Sequence, residues 1–306
     1  MKACILGCGQ VCDIHSGELD VFFDELVFVD KNIQMAESQC RGRKRAKAFT
    51  EIPKKDFDIG LVLTPNHLHL QHALDFINRD IPVFLEKPPV LNRTELDKLE
   101  STIQKTGAWL TVGYQVRFSP AIQAIKQELK NKRIIHIDCW KHRAVSTGYY
   151  EDGWHGTEMD GGVLMQQGAH CVDLVSYLSN DECPKNVYKV TKNARHHIYG
   201  GDSGSMFIEY PNHTASINCT TAPLCAGRSG LVITYEDGVL ECGGFAWERL
   251  LETRTYGYLN LNRENKDKSA GYCMWYVIKH CIENKLPPPV PLSSAGISIK
   301  LLNWRN

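Results

Sequence analysis

Over residues 1–118 the chain alternates short apolar runs with longer stretches of helical spacing. KACILG, ELVFVD, FDIGLVLTP, IPVFLEKP and AWLTVGY lack the apolar–polar alternation of a half-exposed strand, so they read as strands buried on both faces. Between them, 11–23, 32–40 and 67–78 can form helices; in the last, Leu70, Ala73, Leu74 and Ile77 share one face. Thr94 is expected to cap a further helix running to about Lys105. Strands alternating with amphipathic helices imply a parallel sheet covered on both sides, and right-handed crossovers make it a doubly wound, Rossmann-like α/β domain.

The pattern changes after Ser119. Pro120 starts a helix to about Lys132, RIIHIDCW is a strand, and the polar, aromatic loop STGYYEDGWHGTEMDGG follows. Residues 162–178 read as one helix. Strand-like runs over 187–221 and 231–241 are divided by the turn signals GGDSG, PNH and EDG. The expectation for 119–306 is an α+β domain with an open, mostly antiparallel sheet. PPPVP at 287–291 is a stiff extended link before a terminal helix.

Charge narrows the partners. Lys plus Arg and Asp plus Glu each number 35, so a nucleic-acid or anionic-membrane surface is not expected. The one basic run, 41–47, reads as a solvated helix end. No apolar run approaches the roughly 20 residues of a membrane helix. The first residues enter a strand at once, so no leader is expected and the location is expected to be cytoplasmic. The 12 cysteines form no CxxC pair, which suits free thiols and no metal site.

Candidate chemistry gathers at strand ends. Gly7-Cys8-Gly9-Gln10-Val11-Cys12 joins the first strand to the first helix. A phosphate-binding turn needs glycine where the chain bends and where backbone approaches the pyrophosphate, followed by free helix N–H groups. Cys12 stands where the fingerprint has its third glycine. Asp30 ends the second strand, where a carboxylate can accept ribose hydroxyls and repel a 2′-phosphate, favouring NAD over NADP. Thr64, Pro65 and Asn66 end the third strand, and Glu86, Lys87 and Pro88 the next, at the edge where ligands bind such sheets. Lys87 is either an ordinary strand-end charge or a catalytic cation. Farther on, Gln166, His170 and Asp173 fall at i, i+4 and i+7 of the expected helix. His170 can be a general base or a core histidine, and Asp173 can hold its other nitrogen.

These pieces occur together in one family. Gly7 to His15, Thr64 to His69 (TPNHLH), Glu86-Lys87-Pro88, GYQVRFSP and GGVLMQQGAHCVD resemble, in order and spacing, the motifs of the Gfo/Idh/MocA oxidoreductases. The resemblance implies a two-domain subunit and a nicotinamide cofactor held by Gly7, Gly9, Gln10, Val11, Asp30, Thr64, Pro65, Asn66, His69, Glu86 and Lys87. It implies that Lys87 hydrogen-bonds the reacting hydroxyl, that His170 is the acid/base, and that the second sheet forms a homodimer or homotetramer interface. Gln166, Tyr149, Trp154, His155 and Asp173 are the expected sugar contacts. The family often has Asp where Gln166 stands; an amide there resembles the branch acting on nucleotide-linked sugars. Because Gln cannot take a proton, the acid/base work falls on His170. Relatives often run on past the point matching Asn306, so part of the closing segment is expected to be missing. Two other readings share this fold: a catalytically silent dinucleotide-binding regulator, and a hydrolase or epimerase of glycosides that recycles its NAD.

Overall fold

The computed structural model describes residues 1–54, 56–223, 227–244, 247, 249–255 (backbone only) and 269–304. The chain forms two compact units, Met1–Tyr114 with Met274–Gly296, and Gln115–Cys273 with Ile297–Asn306. A linear reading puts one boundary at 118/119; the return of 274–296 to the first unit is a long-range event that it does not contain.

The first unit runs β1 (Lys2–Leu6), α1 (Gln10–Phe22), β2 (Glu25–Val29), α2 (Ile33–Cys40), β3 (Ala46–Phe49), β4 (Ile59–Val62), α3 (His69–Ile77), β5 (Val83–Leu85), α4 (Arg93–Thr106) and β6 (Leu110–Val112). All six strands are parallel, in the order β3-β2-β1-β4-β5-β6. This is the dinucleotide-binding order, with its switch point between β1 and β4. The central strands are apolar because both of their faces are buried: Ala3, Cys4 and Ile5 of β1 and Ile59 and Leu61 of β4 have no exposed surface.

Two expectations for this unit are corrected. Residues 41–47 are not a helix end; the chain turns after Cys40 and enters β3, and Arg43 is taken up by the Asp20 carboxylate and the Ser16 carbonyl. An edge strand pairs on one side only, so β3 carries little of the apolar signal that marks its neighbours. The cap of α4 is Asn92, whose Oδ1 accepts the Glu95 N–H at 3.0 Å, and not Thr94, which lies inside the helix. The 287–291 link lies along β6: the Val112 N–H donates to Val290 O at 3.0 Å and the Val290 N–H to Thr111 Oγ1 at 3.2 Å. It thereby occupies hydrogen-bonding groups of an otherwise open sheet edge.

The second unit contains α5 (Pro120–Glu128), β7 (Ile134–His142), α6 (Gly162–Gln166), α7 (Gly168–Leu178), β8 (Asn186–Lys192), β9 (Ser203–Glu209), β10 (Thr214–Thr220), β11 (Arg228–Tyr235), β12 (Gly238–Gly244) and β13 (Arg249–Thr255). Two further helices, α8 (Ala270–Glu283) and α9 (Leu292–Leu302), each begin in one unit and end in the other. The sheet order is β13-β12-β11-β7-β10-β9-β8; β7 and β10 are parallel and every other pair antiparallel. Alternate residues such as Ile137, Cys139, Ile217, Cys219, Leu231 and Ile233 point to the buried face, against which α7 packs.

The helix expected over 162–178 is kinked at Gln167 (φ −95°, ψ −39°) into α6 and α7. At its start, Gly162 (φ +79°) lies so close to Gly200 that a Cβ would come within 2.7 Å of the Gly200 Cα. That backbone-to-backbone approach sets where α6 begins, and periodicity cannot report it. On the sheet, Trp140 of β7 covers Gly230 of β11, where an added Cβ would fall 1.9 Å from the indole ring. Gly230→Ala is expected to cost about 1–3 kcal/mol by overpacking, read as a lower denaturation midpoint in urea.

Among the described residues no helix is long and apolar enough to cross a membrane. Burial pushes the Cys4 thiol up to about 12 and the Cys171 thiol well above its ordinary value, so these thiols stay protonated.

Candidate active site

In the first unit the glycine turn is built as its sequence suggests. Gly7 has φ +99°, and a Cβ there would meet Leu63 O at 2.7 Å, so only glycine fits. Gly9 is the N-cap of α1 without any side-chain cap, and a Cβ on it would meet nothing within 4 Å. The start of a 13-residue helix is thus open to a ligand at Gln10 and Val11, both exposed, where helix N–H groups favour an anion. These features fit a dinucleotide pyrophosphate. Cys12, in place of a third glycine, is fully buried.

Asp30 serves the turn as well. Its Oδ2 accepts the Cys8 N–H and its Oδ1 the Asn32 N–H, each at 2.9 Å. The carboxylate therefore ties the glycine turn to the end of β2 and the start of α2, and its remaining lone pairs are directed by that anchorage.

The next two strand ends are held together by His69. Its Nδ1 lies 2.7 Å from Pro88 O and its Nε2 2.8 Å from Thr64 O. Burial lowers its pKa against the pull of these carbonyls, so the uncharged ring donates to one and rests against the other. The sequence suggested a cofactor contact; the structure makes His69 a clamp between the Thr64-Pro65-Asn66 turn and the Glu86-Lys87-Pro88 turn. Thr64 Oγ1 also meets His72 Nδ1 at 2.9 Å, and Asn66 is buried in a short 3₁₀ turn over Asn66–Leu68.

Glu86 is 8% exposed and anionic. Burial raises its pKa, but the hydrogen bond from His15 Nε2 (2.9 Å), the charge of Lys87 and the Lys87 N–H (2.9 Å) outweigh it, and the net shift is downward. A carboxyl with a lowered folded-state pKa contributes stability above its unfolded value that is lost as pH falls through the folded one. Lys87 follows directly, half-buried, through a cis bond to Pro88.

The second unit assembles most of the expected sugar contacts. Tyr149 packs on His155 (ring centroids 4.2 Å apart) and His155 on Trp154 (3.7 Å). The Gln166 amide donates to the Tyr149 hydroxyl. His155 is oriented by Asp152, which also accepts the His155 and Trp154 N–H groups. Arg143 lies over the Tyr149 ring at 5.1 Å. A platform of flat rings with an amide and polar edges suits a sugar or a base. His170 is 8% exposed in the first turn of α7, its ring 6.4 Å from that of Trp247.

Asp173 departs from its expected role. It is 2% exposed, and both of its oxygens accept from Arg117, at 2.9 Å (Nε) and 2.7 Å (Nη2). It is a core ion pair joining α7 to the link after β6, not a sugar contact or a partner of the His170 ring. Among the described residues no group of three or more His, Cys, Asp or Glu can hold a metal ion.

Residues 5–114 match a family model described as an oxidoreductase family with an NAD-binding Rossmann fold, and 124–241 match the Gfo/Idh/MocA C-terminal domain. The chain belongs to the Gfo/Idh/MocA family. Its first unit is an NAD-binding domain. The WlbA dehydrogenase of Bordetella pertussis, solved with NADH and UDP-GlcNAcA, superposes with a TM-score of 0.88 at 22% identity, covering 99% of this chain and 93% of that one. UDP-N-acetylglucosamine 3-dehydrogenase GnnA from Acidithiobacillus ferrooxidans gives 0.80 at 16%, covering 99% and 95%. At such identities the likeness is one of fold. In sequence, D-glucoside 3-dehydrogenase of Escherichia coli K12 is 25% identical over 199 residues, 61% of this chain and 56% of that protein. Two other curated relatives, from Amycolatopsis mediterranei and Formosa agariphila, are spanned over 46% and 44% of their lengths.

Sequence reasoning assigned no role to Arg117, Trp247 or Trp275. Each acts through a partner distant in sequence, and only the arginine of GYQVRFSP had a signal, as part of a motif. For the cofactor turn, Gly7→Ala is expected to weaken NAD binding at least 10-fold, since the left-handed backbone alone costs about 1–2 kcal/mol and the Leu63 carbonyl blocks the methyl group. Titration of NADH fluorescence measures it.

Proposed function

We propose that this protein is a dehydrogenase that oxidises one secondary hydroxyl of a nucleotide-linked sugar, with NAD in preference to NADP. The observation that carries the reading is the aromatic–amide platform of Tyr149, His155, Trp154 and Gln166, which adjoins in sequence the helix of His170. The fold shared with proteins whose structures hold UDP-GlcNAcA, and the sugar dehydrogenases among its relatives, support the substrate class.

Bound NAD supplies the two-electron acceptor. Gly7, Gly9, Gln10 and Val11 would hold its phosphates, and Asp30, anchored by the Cys8 and Asn32 backbone N–H groups, would accept ribose hydroxyls and disfavour a 2′-phosphate. His170 takes the hydroxyl proton, and Lys87 donates a hydrogen bond to the same oxygen as its charge develops. Glu86 stays anionic and holds the Lys87 backbone. Gln166 and the three rings orient the sugar.

The test is NADH formation with a panel of UDP- and dTDP-sugars beside the free sugars and simple glycosides. Turnover of a nucleotide-linked sugar at a kcat/KM at least 10-fold above its free sugar is expected. Equal rates would reject the nucleotide requirement, and no NADH from any member, with NAD recovered bound to the purified protein, would favour the recycling reading.

The same proposal includes a cytosolic setting, which suits the many free buried cysteines, and a homodimer or homotetramer through the second sheet. Tyr188 and Phe207 pair across β8 and β9 and are 52% and 43% exposed, an apolar patch that a second copy would cover. Sedimentation velocity checks it: Phe207→Lys is expected to shift the assembly to monomer.

A further inference from the structure

Glu86 and Lys87 are reached by a buried chain of hydrogen bonds that begins in the last third of the sequence. Trp275 of α8, with no exposed surface, directs its Nε1–H at His15 Nδ1, 3.2 Å away. His15 Nε2 lies 2.9 Å from Glu86 Oε1, and Glu86 Oε2 accepts the Lys87 N–H at 2.9 Å. All four residues belong to the first unit.

The direction of this chain follows from what each group can do. An indole nitrogen only donates, so His15 Nδ1 must offer a lone pair. The ring proton then sits on Nε2 and points at the Glu86 carboxylate. With the other tautomer, two lone pairs would face each other across 2.9 Å, and the indole N–H would meet another N–H. Packing holds the ring in place. His15 stands edge-on to Phe84 and to Trp275, with centroids 5.7 and 5.5 Å apart, and Trp275 leans on Phe84 at 4.6 Å. Beneath the carboxylate, a Cβ on Gly113 would reach Phe84 Cζ at 2.8 Å and Glu86 Oε1 at 3.0 Å, so bare backbone makes the seat for Glu86.

We propose that Trp275 and His15 are positioning residues: the indole selects the His15 tautomer, the tautomer orients the Glu86 carboxylate, and the carboxylate fixes the backbone from which the Lys87 side chain springs. This rests on the reading of Lys87 as an active-site cation. His69 secures the other side of the same turn through Pro88 O, so the Lys87 backbone is anchored before and after. A side chain that must meet a developing charge gains from such preorganisation.

Two substitutions separate the relay from simple packing. His15→Gln keeps an acceptor and a donor at similar size, whereas His15→Leu keeps only the volume. Turnover is expected to fall about 10-fold in Trp275→Phe and His15→Leu, with KM for NAD changed less than about 3-fold, and His15→Gln is expected to recover most of the loss. Independently of activity, long-range ¹H–¹⁵N NMR on the full chain is expected to report the Nε2–H tautomer of His15 in the wild type and loss of that single tautomer in Trp275→Phe. An unchanged tautomer in Trp275→Phe, or equal turnover in His15→Gln and His15→Leu, overturns the proposal. If the tautomer changes as expected and Lys87→Met leaves turnover intact, the reading of Lys87 has failed and the positioning role falls with it. If Lys87→Met is slow and Trp275→Phe keeps full turnover, the role of Lys87 stands and the relay alone is refuted.

Discussion

Replacing His170 with Asn is expected to lower kcat by about 10²- to 10⁴-fold, the usual contribution of a positioned acid/base, while the Kd for NAD changes less than about twofold. Asn matches the polar reach of the ring and leaves the first turn of α7 intact, so the variant tests proton transfer and not folding. Gln166, four residues earlier, cannot take over, because an amide accepts no proton at neutral pH. The measurement is a steady-state pH profile of both proteins with the best nucleotide-linked sugar. Recovery of the rate at high pH, where hydroxide replaces the base, is the further signature. Turnover within about threefold of wild type would make His170 a core histidine beside Trp247. Lys87→Met is expected to cost about 10²–10³-fold, as loss of one preorganised donor to a developing oxyanion does.

The second large effect concerns stability. Arg117 and Asp173 are 5% and 2% exposed and joined by two hydrogen bonds. Removing one partner leaves a buried charge without compensation, so Asp173→Leu or Arg117→Met is expected to cost about 3–5 kcal/mol in urea unfolding. The double variant Arg117→Met/Asp173→Leu is expected to recover most of that, because desolvation of the pair offsets its Coulomb attraction. The pH dependence carries the same sign. Burial, opposed by Arg117, raises the Asp173 carboxyl from 3.8 to about 6. A raised folded-state pKa contributes stability that is full below the unfolded value and lost as pH rises through the folded one. Relative to the double variant, the wild type should therefore gain stability as pH falls from about 6 toward 4, the reverse of an ordinary surface carboxylate. A wild type that loses stability faster than the double variant over that window would show that Arg117 outweighs burial.

Much of the first unit was legible in the linear order of residues. Five buried strands, their intervening helices and the glycine turn follow from local rules: an apolar run must be buried, a 3.6-residue period makes one apolar face, and Gly7 alone tolerates a left-handed backbone against Leu63. The second unit was legible as a class, because turn signals between alternating runs mark antiparallel strands, and the aromatic loop announced its rings. The start of α6 at Gly162, the edge strand β3 and the partner of Asp173 were not legible, since each depends on a neighbour brought in by folding: Gly200, β2 and Arg117.

Sequence alone determined which residue types stand at the strand ends, and so the kind of chemistry open to this protein. Tertiary structure decided what each of them is tied to. Asp30 is committed to the glycine turn, His69 to two carbonyls, and Glu86 to a histidine 71 residues before it and, through that ring, to an indole 260 residues beyond the histidine. Periodicity reports burial over a few turns of chain, whereas hydrogen-bond partners at such separations exist only once the segments carrying them have packed.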